Sequence, residues 1–256
     1  MQKLVLLPIA STLVGVGWIA IALHQGDRPA QATSAIAGQL SYEAAGFDRV
    51  SAAGPMHVLV TVGPAASVRG EGLDETLDGY EVKVEHGSLE IKPKPRNFWN
   101  PGWKELKPAT FRVTLPRLSS TSIAGSGDMK VDRVDGSRFA ASVAGSGKFE
   151  IDSLAVDEGR FSVAGSGELT ARGRAGKANV SIAGSGNMHL RELASDDANV
   201  SIVGSGDAAL TVRDAAAVSI IGSGEADVAG SAHCSVSRFG GGRVRCNGQT
   251  QGGKDG

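Results

Sequence analysis

Residues Ser181–Leu190 read SIAGSGNMHL, and the chain writes this stretch six times with small changes. The other copies are SIAGSGDMKV (Ser122–Val131), SVAGSGKFEI (Ser142–Ile151), SVAGSGELTA (Ser162–Ala171), SIVGSGDAAL (Ser201–Leu210) and SIIGSGEADV (Ser219–Val228). Their opening glycines are Gly125, Gly145, Gly165, Gly184, Gly204 and Gly222, spaced by 20, 20, 19, 20 and 18 residues. A degraded seventh copy follows at Ser237–Val244, 18 residues further on. Self-similarity at a fixed period of this length marks a solenoid or an array.

Aligned, the units give columns. Ile123, Val143, Val163, Ile182, Ile202 and Ile220 precede the corner by two residues. Met129, Phe149, Leu169, Met188, Ala208, Ala226 and Val244 follow it, and Val131, Ile151, Ala171, Leu190, Leu210, Val228 and Cys246 stand two further on. Polar columns alternate with these: Ser122, Ser142, Ser162, Ser181, Ser201 and Ser219 in one, Lys130, Glu150, Thr170, His189, Ala209 and Asp227 in another. Alternation of period two is that of strands, and mid-unit glycines argue against helices. The corner is closed by Gly127, Gly147, Gly167, Gly186, Gly206 and Gly224. A sharp turn there asks for backbone angles that a Cβ opposes.

One unit carries too few apolar side chains to hold itself, whereas stacked units share ladder hydrogen bonds and close a continuous core. The expected fold is all-β: a right-handed parallel β-helix of roughly ten coils, each about 20 residues long. A propeller blade needs about 40 residues, and a sandwich would not keep identical corners in register. Residues 46–118 read as drifted coils, with strands at His57–Val62, Glu81–Val84, Leu89–Ile91 and Phe111–Leu115. The β-helical domain is expected over 46–247, with a linker at 33–45 and a frayed, Gly-rich tail at 248–256.

Residues 4–23, LVLLPIASTLVGVGWIAIAL, carry no charge and are long enough as a helix to span a bilayer. Ala30-Gln31-Ala32 also fits a signal-peptidase site. Residues 1–32 therefore read either as an uncleaved transmembrane anchor or as a signal peptide. Both place the rest outside the cytoplasm, in the periplasm or at the cell surface. The formal charge of -1 and the lack of a basic tract give no footprint for nucleic acid.

The Gly-Ser-Gly is not a nucleophile elbow, which has the form G-x-S-x-G between a strand and a helix. The residues after each corner, Asp128, Lys148, Glu168, Asn187, Asp207, Glu225 and Arg243, mix signs, as a calcium ladder would not. No metal, cofactor or catalytic residue is expected. The odd segment is Lys92–Pro108, rich in proline and basic residues, which reads as a long loop. Its Arg96, Phe98, Trp99 and Trp103 suit stacking on sugars, anionic glycans or a membrane surface, or else pack back as a lid. Cys234 and Cys246 are too few for a zinc site. In an oxidising compartment they would staple the last coil; otherwise they are buried thiols.

The S-[IV]-x-G-S-G-[DEKN] units, preceded by Phe47-Asp48-Arg49-Val50, Glu81–Val84, Leu89–Ile91 and Phe111–Pro116, resemble the bacterial family described as putative auto-transporter adhesin, head GIN domain. The resemblance covers residues 46–230. It implies an exported β-helical domain with no assigned catalytic residues. The expected function is a non-enzymatic module for adhesion or envelope scaffolding. Its partner would be a cell-envelope polymer or a protein, with the membrane engaged through residues 4–23 if they are retained, and self-association at exposed end coils. A polysaccharide-acting enzyme and an envelope-sensing module are the alternatives.

Overall fold

The computed structural model describes residues 32–36, 38–95, 107–251 and 254–255. The expected anchor or signal segment lies almost wholly outside the described residues. Among those described, no helix is long and apolar enough to cross a membrane.

The repeats build the body. Strands β1 (Ala32–Ile36), β2 (Gln39–Tyr42), β3 (Arg49–Ala53), β4 (Met56–Val62), β5 (Ser67–Glu71), β6 (Tyr80–Glu85), β7 (Ser88–Pro93) and β8 (Ala109–Leu115), with the short helix α1 (Asp74–Leu77), precede them. Then come β9 (Ser120–Gly125), β10 (Asp128–Gly145), β11 (Lys148–Gly165), β12 (Glu168–Gly184), β13 (Asn187–Gly204) and β14 (Asp207–Gly222). Each of β10 to β14 is one nearly full coil, ending at the next Gly-Ser-Gly. Successive coils pair in parallel and in register: Ser122, Ser142, Ser162, Ser181, Ser201 and Ser219 stand directly over one another.

Within a coil, inward residues include Phe149, Ile151, Leu154, Val156, Phe161 and Val163, all buried. Their alternation slips where two outward residues adjoin, at Asp152-Ser153, at Asp157-Glu158 and again at the Gly-Ser-Gly corner. Each slip turns the strand, so the coil has three sides. Large and small residues complement one another between coils. Phe139 is in register with Gly159, and Ala141 with Phe161. A Cβ on Gly159 would come within 2.8 Å of the Phe161 ring.

The corners have two separate reasons for glycine. The first glycine takes a positive φ, from 102° at Gly125 to 125° at Gly222. At the second, added Cβ atoms on Gly147, Gly206 and Gly224 would run into the backbone carbonyls of Gly127, Gly186 and Gly206 one coil earlier. The ladder does not break at the corner. Ser146, Ser166, Ser185, Ser205 and Ser223 donate their backbone N–H to the carbonyls of Gly125, Gly145, Gly165, Gly184 and Gly204, each at 2.9 Å.

The segment before the repeats departs from the expected run of drifted coils. The regular solenoid makes about six turns rather than ten. β3 and β4 form a coil with a Gly54-Pro55 corner, paired in parallel with β9 and β10 on one side. On the other side they pair with β7 and β8. The chain thus lays its later coil outside its earlier one, then passes back to start β9. In sequence, residues 94–108 stand between β7 and β8, where β3 and β4 are joined by Gly54-Pro55.

The outer edge is covered by antiparallel strands: β5 on β8, β2 on β5, β1 on β2, and β6 on β7. Residues 39–42, expected as linker, are therefore a sheet strand that hides an edge. The cap has its own core, where Tyr80 meets Phe111 edge-on with ring centroids 5.4 Å apart. Burial, with a smaller contribution from Asp78, pushes the Tyr42 hydroxyl up to about 12.

The other end closes with β15 (Glu225–Gly230), β16 (His233–Phe239), β17 (Arg243–Cys246), β18 (Gln249–Thr250) and β19 (Lys254–Asp255). The expected frayed tail instead carries strands. β17 and β18 form a hairpin through Asn247 and Gly248, both at positive φ. β19 pairs with β16. Arg238 occupies the inward column in register with Ile220, a charged plug on the last coil. Cys234 and Cys246 are joined by a disulfide with Cα atoms 6.4 Å apart.

Replacing Gly165 with alanine should destabilise by about 1–3 kcal/mol from the backbone angle alone, while Ser166→Ala should change stability by less than about 0.5 kcal/mol. Chemical denaturation of both variants checks this. Cys234→Ser should accelerate amide exchange across residues 233–250 and leave the coils before β14 unchanged, because a solenoid couples mainly nearest neighbours. Uniform acceleration along the chain would contradict that.

Candidate functional site

Two features of the described residues present themselves for contact: a flank dense in charges and a flank with few. The charged flank carries the columns after the corner. Asp128, Lys148, Glu168, Asn187, Asp207, Glu225 and Arg243 are stacked in register. Opposite charges in adjacent coils pair, as Lys148 does with Glu168 at 3.5 Å and Arg243 with Glu225 at 3.3 Å. Arg172 is the hub. It reaches Glu150 at 2.6 Å, Glu192 at 3.1 Å and Asp152 at 3.5 Å. Lys130 meets Glu150 and Asp152 from the other side.

The hydrogen bond from Arg172, aided by Lys130, holds the Glu150 carboxyl below the usual glutamate range. This is the wrong direction for a general acid, which needs its proton near neutral pH. The shallow cleft here, about 460 Å³, is bordered by Asp128, Lys130, Lys148, Glu150, Glu168 and Arg172. Its charges answer one another. Among the described residues no three His, Cys, Asp or Glu side chains gather in a way that would hold a metal ion.

The flank with few charges lies along the stretch before the corner. A trough of about 630 Å³ runs across the coils there. Its floor is the serine column Ser142, Ser162, Ser181, Ser201, Ser219 and Ser237. Five coil steps make it about 24 Å long. Beside it stand Arg160, paired with Glu158 at 2.9 Å, and Asn179 and Asn199, whose amides hydrogen-bond to each other at 3.1 Å. Next to the serines runs a column absent from the sequence reading: Ala124, Ala144, Ala164, Ala183, Val203, Ile221 and Phe239. It points outward and grows in size toward the last coil. Val203, Ile221 and Phe239 are 50, 51 and 69% exposed. The signal was available, since the third residue before each closing glycine is apolar in every copy and would face out by alternation.

Arg96, Phe98, Trp99 and Trp103 lie outside the described residues. The ends of their loop are placed, with Lys94 donating to the Gly79 carbonyl at 2.9 Å and the Lys107 carbonyl accepting from the Tyr80 hydroxyl at 3.1 Å. The glycines of the corners are structural, and their serines carry no base: the ladder uses the backbone of each.

With this geometry in hand, the comparisons are specific about family and coarse about role. Residues 46–232 match the model of the family described as putative auto-transporter adhesin, head GIN domain, and the chain belongs to that family. Three solved structures are similar in fold, each covered over 94% of its length by 80% of this chain. They are a putative adhesin from Bacteroides fragilis (20% identity, TM-score 0.71), a putative lipid binding protein from Parabacteroides distasonis (22%, 0.65) and a putative adhesin from Parabacteroides merdae (15%, 0.60). Comparison with curated proteins gives no significant match.

The Glu150–Arg172 pair has a defined pH signature. A carboxyl held below its unfolded value contributes stability above that value and loses it as pH falls through the folded value. The melting temperature of Arg172→Gln should therefore fall below that of the wild type near neutral pH. The gap should narrow once pH drops under the ordinary glutamate value of 4.5 and close below the folded value. Thermal melts across this range at low salt check it.

Proposed function

We propose that this member of the head GIN family is a non-enzymatic, extracytoplasmic β-solenoid module that holds an extended, uncharged cell-envelope or surface polymer along its serine-floored trough. The observation that carries the reading is the trough itself. It is long, shallow and repetitive, and it offers the same hydroxyl every coil. A small substrate would need a few unlike groups converging on one point; a chain of repeating units is matched by a ladder of repeating contacts. The charged flank supports the same reading, because Glu150 is paired with Arg172 and Lys130 and is held ionised. The solenoid is taken as right-handed, the hand that parallel crossovers adopt. Arg96, Phe98, Trp99 and Trp103 would add stacking contacts to the same polymer.

A second reading is an acyl chain in the trough. The exposed Val203, Ile221 and Phe239 rim favours it, as does the description of one fold neighbour as a lipid binding protein.

The test is binding of the full chain, in a non-ionic detergent, to an array of envelope polysaccharides, with a fluorescent fatty acid in parallel. Ser181→Lys/Ser201→Lys would set two ammonium groups on the trough floor. It should weaken polysaccharide binding by about tenfold or more through uncompensated desolvation, with an unchanged melt. Trp99→Ala/Trp103→Ala reports the loop separately. Fatty-acid binding lost in the lysine variant, without polysaccharide binding, would move the reading to lipid. Binding indifferent to the trough substitutions would overturn both.

A further inference from the structure

The N-terminal cap carries a second surface, made by register in the part of the chain that does not repeat. Arg69 on β5 stands directly opposite Arg112 on β8, and Arg112 is in register with Leu59 on β4. Two residues along, Ser67, Thr114 and Thr61 form a second row across the same three strands. Alternation puts both rows on one face. Together with Val113 they line a small, mostly polar cleft of about 130 Å³.

Like charges directly opposite each other on antiparallel strands repel. The countercharge here is incomplete. Glu71 accepts from Arg112 Nε at 2.6 Å. Among the described residues no carboxylate pairs with Arg69. Asp132, on the next coil, accepts the Val62 backbone N–H at 3.0 Å, and Arg133 donates to the Val62 carbonyl. Lys130, in register with Leu59, is held by Glu150 and Asp152. Two guanidinium groups thus stand across from each other beside three hydroxyls, with one carboxylate, which is bonded to Arg112.

We propose that this cleft binds a compact tetrahedral oxyanion, a phosphate or sulfate group. Guanidinium forks match such an anion in geometry, and hydroxyls donate to its remaining oxygens. The volume, about 130 Å³, has room for one such group. A neutral ligand would leave the repulsion unanswered, whereas an anion between Arg69 and Arg112 removes it. The cleft lies on sheet strands, so its donors are held before the ligand arrives. The anion is either free in solution or a substituent on a larger chain, and the same donors serve both.

The test is calorimetric titration of the full chain with sodium phosphate, sodium sulfate and a heparin-derived sulfated disaccharide. Arg69→Gln, Arg112→Gln and a control, Arg138→Gln, run beside the wild type. Saturable binding of an inorganic anion should weaken by about tenfold in each cleft variant and stay unchanged in the control. Tighter binding of the disaccharide with the same loss pattern assigns the anion to a larger chain; equal or weaker binding assigns it to free solute. No saturable binding of any of the three, or binding equal in all variants, overturns the proposal. If a cleft variant fails to fold, the Arg side-chain Nε–H resonances of the wild type decide. Those of Arg69 and Arg112 should shift on phosphate addition while that of Arg138 stays, and uniform or absent shifts overturn it.

Discussion

The structure depends on one contact repeated at five successive corners: a glycine carbonyl accepting the backbone N–H of the corner serine one coil later. A β-solenoid must turn sharply without interrupting its ladder, because each corner group left unpaired would lose a hydrogen bond. Here the turn is made wholly of backbone. The first glycine supplies a positive φ and the second lets neighbouring corners approach too closely for any Cβ. Once corners stack this way, the spacing between coils is fixed and side-chain columns fall into line. The inward columns then form a core, and the outward ones form faces.

That dependence explains what was legible in the sequence. Six in-register copies of the corner revealed the parallel solenoid, the inward Ile and Val columns and the outward serines. Where the copies stop, so does the information. Gly54-Pro55 plays the corner role without the Gly-Ser-Gly spelling, because Pro55 can stand where the ladder N–H is dispensable. That the 88–115 coil lies outside the 49–62 coil is a choice of long-range pairing that no local pattern encodes. The hairpin turns His86-Gly87 and Asn247-Gly248 do carry a local sign, a residue tolerant of positive φ followed by glycine, and the strands after them follow from it. The Arg69–Arg112 pairing depends on register between strands of unrelated sequence and had no signal at all.

The two flanks divide labour by composition. On one, charges of mixed sign stack coil upon coil, and opposite ones pair across short distances, as Lys148 does with Glu168 and Arg172 with Glu150. On the other, the same architecture repeats serine and outward apolar residues, leaving a long trough in which Arg160 is the one charged side chain among its lining residues. The family and fold likenesses agree on architecture and leave the ligand to chemistry, and the uniform trough is the part of the chemistry that scales with coil number.

The central claim, that corner-to-corner hydrogen bonds run unbroken through the solenoid, is tested most directly by amide hydrogen exchange resolved to single residues. The account predicts that the N–H groups of Ser146, Ser166, Ser185, Ser205 and Ser223, though at an exposed edge, exchange as slowly as those of the buried strand positions beside them. Exchange of these five amides at the rate of an open loop, with the strands protected, would contradict it.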